Sequence, residues 1–236
     1  MQRYFATEMK NNKLILSDDD HHHIKKVMRM NNHDLIEVVY DNKLYLCEID
    51  NINNVDINVI EEREEKHDKY PFISLIIPTL KEQKLDLIFQ KGTEIGVNEF
   101  IIVPYERSMV KYDSKKESNK IERWKKILKE ASEQSHRLNI PNIKLCNNFN
   151  FIDELDGLKL ICSTNEKDKY IKDVLKNNSS CDKIFLAIGP EGGISPKEEE
   201  LLEKKGFLKI TLGSQIMRVE TVPIFLASII KYEFTE

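Results

Sequence analysis

The spacing of apolar residues changes rhythm near residue 71. Ahead of that point, short apolar runs separated by polar turns predict strands over 13–16, 35–40, 44–49 and 55–60. The middle two flank Asp41-Asn42-Lys43, a hairpin signal. Ser17 opens a helix predicted over 18–30, with acids in its first turn and Lys25, Lys26 and Arg29 later. The run 61–69 has no apolar residue and reads as a linker or exposed turn.

From 71 onward, strand-like and helix-like runs alternate. Strands are predicted over 72–77, 100–103, 158–162, 183–188 and 207–212, and helices over 84–95, 119–138, 169–177, 196–205 and 221–233. In the 119–138 helix, Ile121, Trp124, Leu128, Ala131, Ser135 and Leu138 form one stripe, which assigns Trp124 to the core. Ser195-Pro196-Lys197-Glu198 is a capping box with proline at the first helical position, and Gly206 ends that helix. Val222, Ile224, Phe225, Leu226, Ile229 and Ile230 cover most of the last helix, so it is expected to be buried, a subunit interface being one way. This alternation predicts an α/β domain with a parallel sheet over 71–236, preceded by a small β-rich domain over 1–68.

Two loops carry the densest chemistry. Gly189-Pro190-Glu191-Gly192-Gly193-Ile194-Ser195 and Leu212-Gly213-Ser214-Gln215-Ile216-Met217-Arg218-Val219-Glu220-Thr221 each follow a predicted strand and precede a predicted helix. Ligands of open α/β sheets bind at such strand ends. Glycines let backbone groups approach a ligand closely. Arg218 adds a cation and Glu220 a carboxylate. Read blandly, the glycines serve only tight turns; the full string, its capped helix and the second loop favour one pocket built from both.

Composition narrows the field. The 236 residues are 40% hydrophobic and 32% charged, which suits one large or two small domains with a core. No apolar stretch reaches the roughly 18 residues of a membrane span. The opening Met1-Gln2-Arg3-Tyr4-Phe5 has no signal-peptide pattern. Cys47, Cys146, Cys162 and Cys181 are scattered, as expected of reduced thiols in a cytoplasmic protein without a metal site. The adjacent His21, His22 and His23 point in different directions on a helix and cannot share one ion. Net charge is −4, yet residues 107–137 carry +5 against −9 elsewhere. That segment is either a solvated face laced with ion pairs or a footprint for a polyanion. No Gly-x-Gly-x-x-Gly and no Gly-x-x-x-x-Gly-Lys-Ser/Thr is present, which disfavours a Rossmann dinucleotide site and a P-loop.

Taken in order, several strings resemble the bacterial 16S ribosomal RNA uridine-N3 methyltransferases of the SPOUT (trefoil-knot) superfamily. They are Arg3-Tyr4-Phe5, His22 to Arg29, Gln90-Lys91-Gly92-Thr93-Glu94-Ile95-Gly96-Val97, Glu106-Arg107-Ser108, Arg123-Trp124, Glu130-Ala131-Ser132-Glu133-Gln134-Ser135-x-Arg137 and the two glycine loops. The resemblance implies a PUA-like β-barrel RNA-binding domain over 1–68 and a knotted α/β methyltransferase domain over 71–236. It also implies S-adenosylmethionine as cofactor, a homodimer, and a uridine near the 3′ end of 16S rRNA in the small ribosomal subunit as substrate, with no membrane or metal partner. Cofactor binding is carried over to Ile188, Gly189, Pro190, Glu191, Gly192, Gly193, Leu212, Gly213, Ile216, Met217 and Arg218. Catalysis is carried over to Arg218 and Glu220, and RNA binding to Arg3, Lys25, Lys26, Arg29, Arg107 and Arg137. The sequence departs from the family pattern at Gln215, where an arginine is usual, at Met217 for leucine, at Gly92 for alanine, and at Asn31-Asn32-His33-Asp34 for a Gly-Asp turn. The rival readings are a non-catalytic rRNA-binding or assembly protein, decided by cofactor binding, and a knotted ribose 2′-O-methyltransferase, decided by the modified product.

Overall fold

A computed structural model of the chain describes residues 1–10, 13–65, 69–112 and 117–235. It divides into two compact units, Met1–His67 with Lys129–Ile140, and Asp68–Leu128 with Pro141–Glu236.

The first unit holds strands β1 (Arg3–Phe5), β2 (Glu8–Lys10), β3 (Lys13–Ile15), β4 (Leu35–Tyr40), β5 (Lys43–Asn51) and β6 (Asp56–Arg63). A four-stranded sheet has the order β1-β4-β5-β6, and β2 pairs with β3. Tyr40 pairs with Lys43, so the hairpin turn is Asp41-Asn42, both at positive φ, and Lys43 belongs to the strand. Residues 61–63 are strand and not linker: Glu61, Glu62 and Arg63 pair with Leu46, Tyr45 and Leu44. Their polarity reflects an edge position, with pairing on one side only. Tyr4, Leu16, Ile24, Ile36, Val38 and Ile49 lie in the core beneath.

Ser17 caps α1 (Asp18–His22) through a reciprocal box with Asp20, and the helix continues as one π turn over His23–Val27. It stops short of the predicted residue 30 because Arg29 takes a left-handed φ of 53°. The C-terminal end of α3 (Glu117–Gln134) also falls in this unit. It too ends before its predicted 138. His136 has φ 56°, the Arg137 N–H donates to the Ser132 carbonyl at 2.9 Å, and the His136 N–H donates to the Glu133 carbonyl at 3.3 Å. This is a Schellman ending built on histidine where glycine is usual.

The second unit is a six-stranded, wholly parallel sheet: β7 (Phe72–Pro78), β8 (Glu99–Val103), β9 (Asn142–Leu145), β10 (Leu158–Cys162), β11 (Lys183–Ala187) and β12 (Leu208–Ile210). Its order is β12-β10-β11-β7-β8-β9. Helices α2 (Glu82–Ile95), α4 (Ile171–Asn177), α5 (Pro196–Lys204) and α6 (Thr221–Phe234) complete it. The parallel α/β architecture is as the alternation predicts; β9, with its half-exposed alternating pattern, was not anticipated. Trp124 is fully buried and meets Phe89 edge-on at 5.5 Å, which settles its core role. The final helix buries Val222, Pro223, Leu226, Ala227 and Ile230. Ile224, Phe225 and Ile229 are only half-buried, so its apolar circumference is not covered within the chain.

Sheet order fixes where a ligand fits. From β7 the chain passes through α2 to β8 on one side, whereas from β11 it passes through α5 to β12 on the other. The neighbours β11 and β7 therefore mark the switch point, where the outgoing loops diverge and open a crevice.

Candidate functional site

Both glycine loops leave the C-terminal ends of strands, the first from β11 at the switch point and the second from β12. The first is anchored by the Ile188 N–H, which donates to the Ile76 carbonyl of β7 at 2.9 Å, and closes on a turn in which the Gly193 N–H donates to the Pro190 carbonyl at 2.8 Å. A Cβ on Gly189 would stand 2.5 Å from Ile194 Cγ1, so the fold-back admits only glycine there.

The cap of α5 does more than start a helix. Glu198 Oε2 accepts the Ser195 N–H at 3.0 Å, while Oε1 accepts the Glu106 N–H at 2.7 Å. That second bond holds the loop after β8 against the first glycine loop. Beside it, Arg107 Nη1 donates to the Gly192 carbonyl at 3.1 Å and to the Ile194 carbonyl at 3.4 Å. Arg107 thus shares a strand-end cluster with the first glycine loop, although its side chain stays exposed.

In the second loop, Gly213 has φ +107°, and the space its Cβ would fill is open. Ser214, Gln215 and Ile216 are exposed, Ile216 to 87%. The Arg218 carbonyl accepts the Thr221 and Val222 N–H groups at 2.9 and 3.2 Å, which launches α6 with Glu220 at its N-cap. The Arg218 side chain is exposed.

One cation joins the two loops. Lys84, in the first turn of α2, lies 2.9 Å from Glu191 Oε1 of the first loop and 3.1 Å from Glu220 Oε2 of the second. The hydrogen bond to Glu191, with Glu220 assisting, raises the Lys84 pKa against the opposing effect of burial. Burial works to raise the Glu191 carboxyl, but the Lys84 hydrogen bond and a backbone N–H outweigh it and hold Glu191 below its ordinary value. Glu220 is similar: burial opposes, while its backbone N–H, Lys84 and the charge of Arg218 bring it down. All three groups are therefore ionised at neutral pH, and together they carry one net negative charge.

Lys84 was not among the residues expected from the sequence. Glu191 lies 107 residues from it, and nothing local in Lys81-Glu82-Gln83-Lys84 signals a partner. Glu198 was legible as a cap, but its bond to Glu106 was not.

The residues expected to meet RNA fare differently. Arg3 is 1% exposed. Its guanidinium pairs with Glu37 at 2.9 Å and Glu65 at 2.8 Å and donates to the His136 carbonyl at 2.6 Å. Burial and these partners consume its donors, so the expectation of a phosphate contact at Arg3 is corrected to a structural role. Lys25 donates to the Asn53 carbonyl, and half-buried Arg137 to Asn139 Oδ1 at 2.9 Å. Lys26 and Arg29 are exposed. Along α3, Lys120 pairs with Glu82 at 2.7 Å, Arg123 with Asp86, Lys125 with Glu122 at 2.9 Å, and Lys129 with Asp20. Four of the basic residues on this helix are therefore engaged in ion pairs. Among the described residues no group of His, Cys, Asp and Glu is disposed to hold a metal ion, and no helix is long and apolar enough to cross a membrane.

Comparison with known proteins bears directly on this site. Residues 68–231 match the family model of an RNA methyltransferase domain, and residues 16–60 that of an RNA methyltransferase PUA domain. The chain is 33% identical to the ribosomal RNA small subunit methyltransferase E of Bacillus subtilis (strain 168), over 99% of this chain and 97% of that protein. It is also 33% identical to the protein of the same name from Mesomycoplasma hyopneumoniae (strain 232), over 96% and 97%. Among solved structures it is similar to a methyltransferase of Legionella pneumophila in complex with the bound cofactor SAM, with TM-score 0.88, 27% identity and coverage of 98% and 97%.

Proposed function

Because this chain belongs to the RNA methyltransferase family, with a PUA-like N-terminal domain ahead of a SPOUT-class α/β domain, we propose that it methylates N3 of a uridine near the 3′ end of 16S rRNA. Its methyl donor on this reading is S-adenosylmethionine. The observation that carries the reading is the convergence of both glycine loops on Lys84 beside the sheet's switch point.

The residues present fit that cofactor. The space beside Gly213 is open where any other residue would place a side chain. The backbones of Ile188, Gly189, Pro190, Gly192 and Gly193, and of Leu212, Gly213, Ile216 and Met217, sit at strand ends where they can grip the adenosine and methionine parts. The net negative Glu191–Lys84–Glu220 cluster suits a ligand that carries a positive sulfonium. When bound, the cofactor would supply an electrophilic methyl group for attack by a ring nitrogen, with its thioether sulfur as the leaving group.

The chain's own residues then position the reactants and manage charge. Holding both partners in one geometry replaces a bimolecular encounter. Arg218, fixed in charge and exposed beside the second loop, stabilises the uracil anion at O2 or O4 as N3 loses its proton. Glu220 lies in the field of Arg218 and orients it. Glu191 and Glu220 are both engaged with Lys84, and the N3 proton passes to solvent. Lys25, Lys26, Arg29, Arg107 and Arg137 serve phosphates, and such contacts make affinity fall steeply with salt.

On the same reading the protein works in the cytoplasm as a homodimer. Half-buried Ile224, Phe225 and Ile229, with Tyr232 exposed to 85% on the same helix, support an intersubunit role for α6. Calorimetric titration with S-adenosylmethionine tests the cofactor, and transfer of labelled methyl to small subunits or to free 16S rRNA tests the substrate. Saturable binding with transfer to rRNA is expected. A protein that binds rRNA but no cofactor would overturn the reading.

A further inference from the structure

Lys84 stands at the only point, among the described ion pairs, where one side chain touches both glycine loops. It reaches them from a third element, the rigid helix α2, whose buried Leu85, Ile88 and Phe89 fix it on the sheet. The side chain itself is 29% exposed. Without it Glu191 faces the like charge of Glu220, and of the two carboxylates only Glu220 keeps a cation, Arg218, in its field. In the absence of the ammonium, two ionised carboxylates on two separate loops would repel across the crevice. Neither loop has another described ion pair to a helix to hold it in place.

We propose that Lys84 is a positioning residue that latches the two glycine loops at the separation the cofactor requires. The inference rests on the methyltransferase reading and deepens it: Lys84 sets the shape of the cofactor cradle through Glu191 and Glu220 and leaves the reacting atoms to others. Two properties follow from the geometry. Loss of the latch frees both loops together, because one ammonium serves both carboxylates. Loss of Glu191 alone frees the first loop and leaves the second tied to α2.

The test compares Lys84→Met, Lys84→Arg and Glu191→Gln in the full-length protein. Calorimetry measures S-adenosylmethionine affinity, hydrogen exchange follows peptides covering 188–195 and 211–220, and steady-state kinetics give KM for small subunits. In Lys84→Met the cofactor Kd is expected to rise about 10- to 100-fold, the cost of a cradle displaced by a fraction of an ångström to an ångström. Exchange quickens in both loops, and KM for small subunits stays within about twofold. Lys84→Arg recovers most of the affinity. Glu191→Gln quickens exchange in the first loop only, and it carries the test if Lys84→Met fails to fold. A folded Lys84→Met protein with wild-type cofactor affinity and unchanged loop exchange would overturn the inference. A wild-type protein that binds no cofactor would overturn the methyltransferase reading instead, while the exchange measurement still decides whether Lys84 latches the loops.

Discussion

The Glu106 backbone N–H donates to the Glu198 carboxylate at 2.7 Å, so one helix cap also fastens the loop that follows β8. The other oxygen of the same carboxylate accepts the Ser195 N–H at 3.0 Å. A single side chain therefore fixes the entry to α5 and the position of the Arg107 loop against the first glycine loop.

Glu198→Ala removes both bonds. It is expected to lower stability by about 1–2 kcal/mol, somewhat beyond an ordinary cap loss, because the Glu106 N–H also loses its partner. Thermal unfolding measures the first effect. Faster hydrogen exchange at Glu106 and Arg107, next to the glycine loop, measures the second. Unchanged exchange there would mean that the bond does not hold the loop.

Arg3 is expected to behave as a structural residue. With its side chain 1% exposed and paired with Glu37 and Glu65, Arg3→Ala leaves two carboxylates without their counter-charge. A cost of about 3–5 kcal/mol to the first unit is expected, read by chemical denaturation or by exchange in β1 and β4. Lys26→Ala and Arg29→Ala, at exposed positions, should instead weaken rRNA binding and its salt dependence without a change in stability.

Glu133 gives a pH dependence. Burial, chiefly, pushes its pKa up to about 7 from an ordinary 4.5; Lys129 at 3.4 Å pulls it down, and Asp20 adds to the rise. The folded state thus keeps a proton that the unfolded chain releases between those values. Its favourable contribution is full below about pH 4.5 and is lost as pH rises to about 7, with a span of up to roughly 3 kcal/mol. Glu133→Gln cannot ionise, so its Tm relative to the parent protein should be higher at pH 8 than at pH 5. Equal Tm differences at the two pH values would contradict the assignment.

Arg218→Ala tests the catalytic assignment. The side chain is exposed and its carbonyl alone starts α6, so the fold should survive. Removal of one charge-stabilising donor is expected to lower kcat by about 10²–10³-fold. A variant that folds, binds cofactor and turns over at the parent rate would remove Arg218 from the mechanism.

What the sequence revealed follows from how far its signals reach. The Ser195 cap, the Asp41-Asn42 turn, the Trp124 stripe and the parallel α/β alternation are written in neighbouring residues, and local physics decides them. The glycine loops were visible for the same reason. The ends of α1 and α3 were missed because Arg29 and His136 adopt positive φ, where sequence signals lead one to look for glycine or asparagine. Residues 61–63 were missed because an edge strand needs no apolar face on its open side. Arg3 and Lys84 were misjudged or overlooked because their roles depend on partners brought close only by the sheets: Glu37 and Glu65 for one, Glu191 and Glu220 for the other.

Nucleoside mass spectrometry of small ribosomal subunits that lack the modification, incubated with the purified protein and S-adenosylmethionine, tests the proposed methylation at its product. 3-Methyluridine is expected in the 16S rRNA, formed with the parent protein and strongly reduced with Arg218→Ala. A methyl group on a ribose 2′-oxygen, or no methylated nucleoside from a protein that binds the cofactor and the subunit, would contradict it.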